Sequence, residues 1–124
     1  MNKQEYEELI VKADEVLQDS ELFKDHARQK IYKSYNGYVS ALGVSVLMIG
    51  LVPALSVYYQ DNEGICRKKV LDVIAKMLDM DNSGQLVESA LHFSSENRKE
   101  LQCKIVNSSI ALKQVVRTYK LVDE

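Results

Sequence analysis

The 27 residues from Ser34 to Gln60, SYNGYVSALGVSVLMIGLVPALSVYYQ, carry no charged side chain, and their placement decides the fold of the chain. Two kinds of structure accommodate such a tract. It is either a helix that spans a bilayer, which needs about 20 mostly apolar residues, or the central buried helical element of a globular protein. Polar side chains interrupt it at Asn36, Ser40, Ser45, Ser56 and Gln60. These interruptions favour the buried element, and a single-span membrane protein using residues 34–60 is the alternative.

The composition is that of an ordinary globular protein, with 46% apolar and 27% charged residues among 124. This length predicts a single domain over residues 1–124. The acidic, polar start MNKQEYEEL is unlike a cleavable signal peptide. Cys66 and Cys103 lie far apart without metal-ligand spacing, which predicts buried or half-buried free thiols in a reducing compartment, hence a cytoplasmic protein.

Apolar periodicity predicts helices along the whole chain, and no segment alternates with the period of a strand. The first helix covers residues 3–18, and a second begins at a Ser20 cap and runs through Tyr35, after which Asn36-Gly37 either breaks it or is carried inside it. The uncharged tract breaks near Gly50, with a new helix starting at Pro53. Three more helices follow at 65–78, at 85–93, and from a Ser94 or Ser95 cap to Val122. The predicted fold class is all-α, a compact single-domain bundle of five to seven helices.

The segment from Asp79 to Leu86 imitates the first eight positions of a calcium-binding EF-hand loop. The imitation fails at position nine, which is Val87, and at position twelve, where Ala90 replaces the bidentate glutamate. A polar turn is therefore predicted, with no metal and no cofactor. A calcium-regulated helical protein remains a minor alternative.

Catalytic signatures are absent from the sequence. His26 and His92 are isolated from other metal-ligating or nucleophilic side chains, and no phosphate-binding glycine loop occurs. The protein is therefore not expected to be an enzyme.

Tyr32, Tyr35 and Tyr38 recur every three residues, which predicts either packing or, less often, a surface on which bases stack.

The charge pattern points to a polyanionic partner. Residues 1–25 hold eight acids and three lysines, whereas residues 26–60 contain no acid at all. On the last helix, one predicted face is basic and polar and comprises Lys99, Gln102, Ser109, Lys113, Arg117 and Lys120. A second acid-free segment carries Arg28, Lys30 and Lys33, and a third basic run is Arg67–Lys69. Such rows suit the phosphate backbone of a nucleic acid.

Three segments together resemble a known family: ARQKIYKSYNGYVSALGVSVLMIGLVPALSVYYQD (27–61), RKKVLDVIAKML (67–78) and SSIALKQVVRTYKL (108–121). The family is the small α-helical subunit of the type III-B CRISPR effector, the Cmr complex. The first segment is similar to its "Y…GLxPxLxFY" helix pair through Tyr38, Gly50, Leu51, Pro53, Leu55 and Tyr58. The third is similar to its final helix through Ala111, Leu112, Lys113, Arg117 and Tyr119.

The resemblance implies a non-catalytic RNA-binding subunit in antiviral defence. Proteins of this family stack in several copies along the complex and line the groove where guide RNA pairs with target RNA, while other subunits cleave. The implied partners are other Cmr subunits, copies of this chain, and the guide and target RNA backbones, with no membrane. The expected RNA contacts are Lys113, Arg117, Lys120, Lys99, Arg28, Lys30 and Lys33. The acidic first helix, residues 3–18, is available to face either a protein partner or the basic side of a stacked copy.

Overall fold

The computed structural model describes residues 1–25, 27 and 29–124, so His26 and Arg28 lie outside the described residues. Six helices and three short strands occur in this part of the chain. In chain order they are α1 (Lys3–Gln18), β1 (Phe23–Asp25), β2 (Lys30–Tyr32), α2 (Lys33–Ile49), α3 (Leu51–Gln60), α4 (Arg67–Met77), α5 (Ser83–His92), α6 (Ser95–Val116) and β3 (Lys120–Val122). The predicted all-α class with five to seven helices is confirmed, since six helices dominate the described residues, and the small sheet was not predicted.

Helix α1 has the predicted bounds. The Oδ1 atom of Asn2 accepts a hydrogen bond from the Glu5 backbone N–H at 2.8 Å and so caps the first turn. Ala13 and Leu17 lie fully buried on the inward face, while the acidic side faces solvent. The amphipathic pattern therefore predicted both the type of element and its orientation.

The prediction of a helix from Ser20 to Tyr35 is wrong before Lys33, because residues 23–25 and 30–32 form strands and α2 begins only at Lys33. The Ser20 hydroxyl donates to the Leu17 carbonyl at 2.7 Å and accepts from the Leu22 N–H at 3.3 Å, which closes a turn instead of capping a helix. Strand β1 then pairs antiparallel with β2. Phe23 and Ile31, paired across these strands, are both buried, so core packing overrides the helical pattern.

Strand β3 pairs in parallel with β2 and completes a three-stranded sheet in the order β1-β2-β3. The last helix consequently ends at Val116, six residues before the predicted end at Val122. The ring of Tyr119 packs edge-on against Phe23, with 5.2 Å between ring centroids. Phe23 and Tyr119 are far apart in sequence. Local periodicity in the last segment therefore does not indicate that the helix ends early.

The uncharged tract forms α2 and α3, which meet at Gly50 as predicted. Gly50 has φ +99°, a left-handed backbone conformation that favours glycine. Helix α3 starts at Leu51, two residues earlier than predicted, and this start places Pro53 in the first turn, where proline is tolerated. Within the described residues, no helix combines the length and hydropathy needed to cross a bilayer.

The hydrophobic core draws side chains from all six helices and from the sheet. Its largest fully buried members are Tyr35, Leu17, Leu22, Ile31, Leu42, Leu55, Leu71, Ile74, Leu86, Ile105 and Leu112. Helix α6 is capped by Ser94, whose hydroxyl accepts from the Asn97 N–H at 3.2 Å. The inward face of α6 is buried at Leu101, Ile105, Ser108, Leu112, Val115 and Val116.

Helices α2 and α6 approach each other closely at Gly43. A Cβ atom added there would lie 2.9 Å from the Ser109 hydroxyl, which is held by a 2.8 Å hydrogen bond to the Val106 carbonyl. Gly37, on the same helix, has open space at the equivalent point. We expect Gly37→Ala to stabilise the protein by about 1 kcal/mol through helix propensity, and Gly43→Ala to lose that gain to the clash.

Urea unfolding of the two variants measures this difference. Adding Ser109→Ala removes the clashing oxygen, so Gly43→Ala becomes more favourable in that background, with a coupling of about 0.5 kcal/mol or more. Equal stabilisation by Gly37→Ala and Gly43→Ala would show that the helices do not meet as described.

A buried tyrosine ties α3 to α2. The Tyr58 hydroxyl donates to the Tyr38 carbonyl at 2.6 Å, and burial raises the pKa of Tyr58 to about 12. This folded-state pKa exceeds the usual value of 10.0, so the stabilisation is complete below pH 10 and is lost as the pH rises through 12. We expect the urea midpoint to fall over this range, and to fall less steeply in Tyr58→Phe. Parallel profiles for the two proteins would contradict the assignment.

Candidate nucleic-acid interface

Two of the predicted basic residues meet near the end of α6. Lys113 and Arg117 are one turn apart and line a shallow depression together with Tyr6, Ile110 and Gln114. The Tyr6 hydroxyl donates to Gln114 Oε1 at 2.5 Å, which fixes α1 beside this depression. Lys113 is half-buried and Arg117 is exposed, so both ammonium and guanidinium groups remain available to a phosphate.

A second pair of cations meets on the sheet. Lys30 of β2 is the register partner of Lys120 in the parallel strand β3, so the two side chains leave the same face. Ile31, the next residue of β2, is buried, which directs Lys30 and its register partner Lys120 away from the core. Lys33 follows as the first residue of α2. The prediction that Lys120 lies on the α6 face is wrong, yet the strand brings it beside another predicted contact.

Other members of the predicted set lie apart. Lys99 is exposed on α6 but precedes Lys113 by fourteen residues, about 21 Å along the helix axis. Ser109, predicted on the basic face, is buried and donates to the Val106 carbonyl. Arg28 lies outside the described residues. The structure therefore brings together Lys113 with Arg117 and Lys30 with Lys120, and leaves Lys99 separate.

Aromatic rings near the basic residues are already covered by cations. Lys24 lies 5.7 Å from the ring centroid of Tyr32, Arg67 lies 4.6 Å from that of Tyr38, and Lys68 lies 4.9 Å from that of Tyr59. Tyr35 is only 1% exposed and cannot stack on a base. The tyrosine repeat is therefore mainly packing, and the arrangement favours contact with phosphates over stacking on bases.

Carboxylates lie among these cations and weaken the local positive field. Asp25 is the cross-strand partner of Lys30, and the Glu124 carboxylate accepts a hydrogen bond from the Ser34 hydroxyl beside Lys33. Asp61 pairs with Arg67 at 3.1 Å and also accepts from its backbone N–H. Such a surface is suited to weak, salt-sensitive binding.

An exposed apolar strip was missed by the sequence prediction, which placed the whole uncharged tract in the core. Val44, Leu47 and Met48 follow the i, i+3, i+4 spacing on α2 and are 56%, 64% and 79% exposed. Val44 and Leu47 line a groove between α2 and α6 together with the half-exposed Ile110 and with Lys113. Because both faces of α2 are apolar, hydropathy contains no signal that separates the buried face from this strip.

The side chains of the EF-hand-like segment, residues 79–86, make contacts within the protein. Asp79 accepts a 2.7 Å hydrogen bond from Lys12, which raises the pKa of Lys12 above its usual value, and Asn82 caps α5 by accepting from the Gln85 N–H. Across residues 1–25, 27 and 29–124, no three His, Cys, Asp or Glu side chains are grouped to hold a metal ion.

Cys66 is a buried free thiol, whereas Cys103 is exposed rather than half-buried.

Comparisons with known proteins agree with the resemblance. The family model described as CRISPR-associated protein (Cas_Cmr5) matches residues 3–119. The crystal structure of a CRISPR-associated Cmr5 family protein from Thermus thermophilus has the same fold, with a TM-score of 0.74, 19% sequence identity, and coverage of 97% of this chain and 99% of that one. No curated protein matches the chain. The family model covers nearly the whole chain and confirms the family expected from the three quoted segments: the chain belongs to the Cas_Cmr5 family of CRISPR-associated proteins, small subunits of the type III-B Cmr complex.

Proposed function

We propose that this protein is a non-catalytic subunit, acting as one domain over residues 1–124, that lines the groove where guide RNA pairs with target RNA. The observation that carries the proposal is the pairing of cations on two neighbouring parts of the fold, Lys113 with Arg117 and Lys30 with Lys120. Each pair offers adjacent donors to a phosphate backbone. Cleavage is assigned to other subunits, and antiviral defence in the cytoplasm is the proposed setting.

These contacts position RNA without reading its sequence. Lysine and arginine side chains that bind phosphate oxygens carry no base information, and the covered tyrosine rings offer little stacking surface. Nearby carboxylates keep the affinity of a single copy low. We therefore propose that firm binding arises in the assembly, where several copies act on one RNA.

The exposed apolar strip supplies a surface for the protein partners. Val44, Leu47, Met48 and Ile110 form an uncharged face, and Lys113 lies directly at its edge. Contiguous exposed apolar side chains of this kind mark protein–protein contacts. We propose that a neighbouring subunit of the Cmr complex, either another copy or a different chain, covers this strip and thereby holds Lys113 and Arg117 beside the RNA.

The RNA contact is tested by charge removal. We expect Lys113→Ala with Arg117→Ala to lower the salt dependence of binding to single-stranded RNA, by about 0.7 in log–log slope for each phosphate that is no longer neutralised. The measurement is titration of a labelled oligonucleotide at several salt concentrations. The matched control is Lys3→Ala with Lys76→Ala, two exposed lysines outside both pairs. Equal weakening by both double variants would contradict the proposed site.

The subunit contact is tested by placing charge on the strip. We expect Leu47→Glu with Met48→Glu to prevent co-purification with the other Cmr subunits, because a desolvated carboxylate is costly in an interface. Leu91→Glu is the control, since Leu91 is 53% exposed on α5 outside the strip. Circular dichroism confirms that each variant folds. Retention of the Leu47/Met48 variant in the complex would exclude this strip as the interface.

A further inference from the structure

A groove on the acidic side of the molecule belongs neither to the proposed RNA contacts nor to the exposed apolar strip. It lies between α1, the turn after α4, and the first half of α6, and its volume is about 630 Å³. Its apolar lining comprises Leu9, Met77, Leu78, Met80, Phe93 and Leu101. Ligand-binding clefts in proteins have volumes of about 300–1,000 Å³, so this groove is large enough to receive several side chains.

The lining is adaptable as well as apolar. Met77 is buried at the base, Met80 is half-buried, and Phe93 remains 37% exposed at the mouth. Methionine side chains are flexible and polarisable, so they adjust to differently shaped apolar partners. Amphipathic helices insert apolar anchors into grooves of this composition.

The charged residues that line the groove favour a partner of positive charge. Glu5, Asp79 and Glu100 line the groove, against one lysine, Lys104. Lys104 pairs with Glu100 at 3.4 Å and Lys12 with Asp79 at 2.7 Å, but in both pairs the carboxylate is largely exposed. Exposed ion pairs contribute little and exchange readily. A basic partner therefore gains attraction at the rim, whereas the phosphates of RNA are repelled.

We propose that this groove, here named the α1–α6 groove, binds a basic amphipathic helix of a partner protein. Apolar side chains of that helix enter between Leu9 and Leu101, and its lysines or arginines contact Glu5, Asp79 and Glu100. The acidic balance of residues 1–25 extends the same attraction along α1. The groove shares no lining residue with the depression at Lys113 and Arg117, so a helix bound here is expected not to displace RNA.

The probe is a synthetic 14-residue peptide of leucine and lysine in helical amphipathic order, labelled for fluorescence anisotropy. We expect one peptide to bind per chain. Glu5→Lys with Glu100→Lys is expected to weaken binding at least about fivefold, since two attractions become repulsions. The matched control is Glu63→Lys with Glu88→Lys, which changes net charge equally at exposed acids outside the groove; this variant is expected to bind within about twofold of the parent.

Two further measurements separate groove binding from general attraction. A peptide with every leucine replaced by alanine retains the charge and is expected to lose binding, and Phe93→Ala is expected to weaken binding of the leucine peptide. Equal loss in the two charge-reversal variants, or full binding of the alanine peptide, would overturn the proposal. Displacement of the peptide by oligouridine RNA would overturn it too. RNA titrations of the same variants test the RNA interface separately, so failure of one proposal leaves the other standing.

Discussion

The close approach of α2 to α6 at Gly43 is the constraint on which the other surfaces depend. With no side chain at Gly43, the Ser109 hydroxyl lies where a Cβ would have to fit. At this separation Val39, Leu42 and Val46 of α2 share one buried core with Ile105 and Leu112 of α6, and Val44 and Leu47 stay exposed beside Ile110. A wider spacing would open the apolar strip into a cleft and move Lys113 away from its edge.

The short sheet imposes the second constraint by joining segments far apart in sequence. Lys30 and Lys120 are separated by about ninety residues, yet they are register partners because β3 leaves the helix and pairs with β2. Two contacts of Tyr119 hold the segment between α6 and β3 in place. Its ring packs edge-on against Phe23, and its hydroxyl donates a hydrogen bond to Asp14. The sheet lysines therefore form a pair only in the folded protein.

The buried face of a helix was predictable where the opposite face is polar, and not where both faces are apolar. Helix α1 has acids opposite Ala13 and Leu17, so both its bounds and its buried face followed from periodicity. Gly50 and Pro53 marked the break in the uncharged tract for local steric reasons. The strands at 23–25, 30–32 and 120–122 were not predictable, because each has three residues and depends on tertiary partners. The exposed strip on α2 was not predictable for a different reason. No polar residue marks its outer side, so the sequence does not distinguish that side from the buried one.

The three surfaces of this small subunit differ in their chemistry. The paired cations, the uncharged strip and the acidic groove each favour a different partner: a phosphate backbone, an apolar protein face and a basic helix. Lys113 lines both the basic depression and the groove beside the strip, so a partner that covers the strip would remove water around this cation. Attraction between charges strengthens when water is excluded. Assembly with a neighbour would therefore raise the affinity of Lys113 for phosphate, which links protein contact to RNA contact through one side chain.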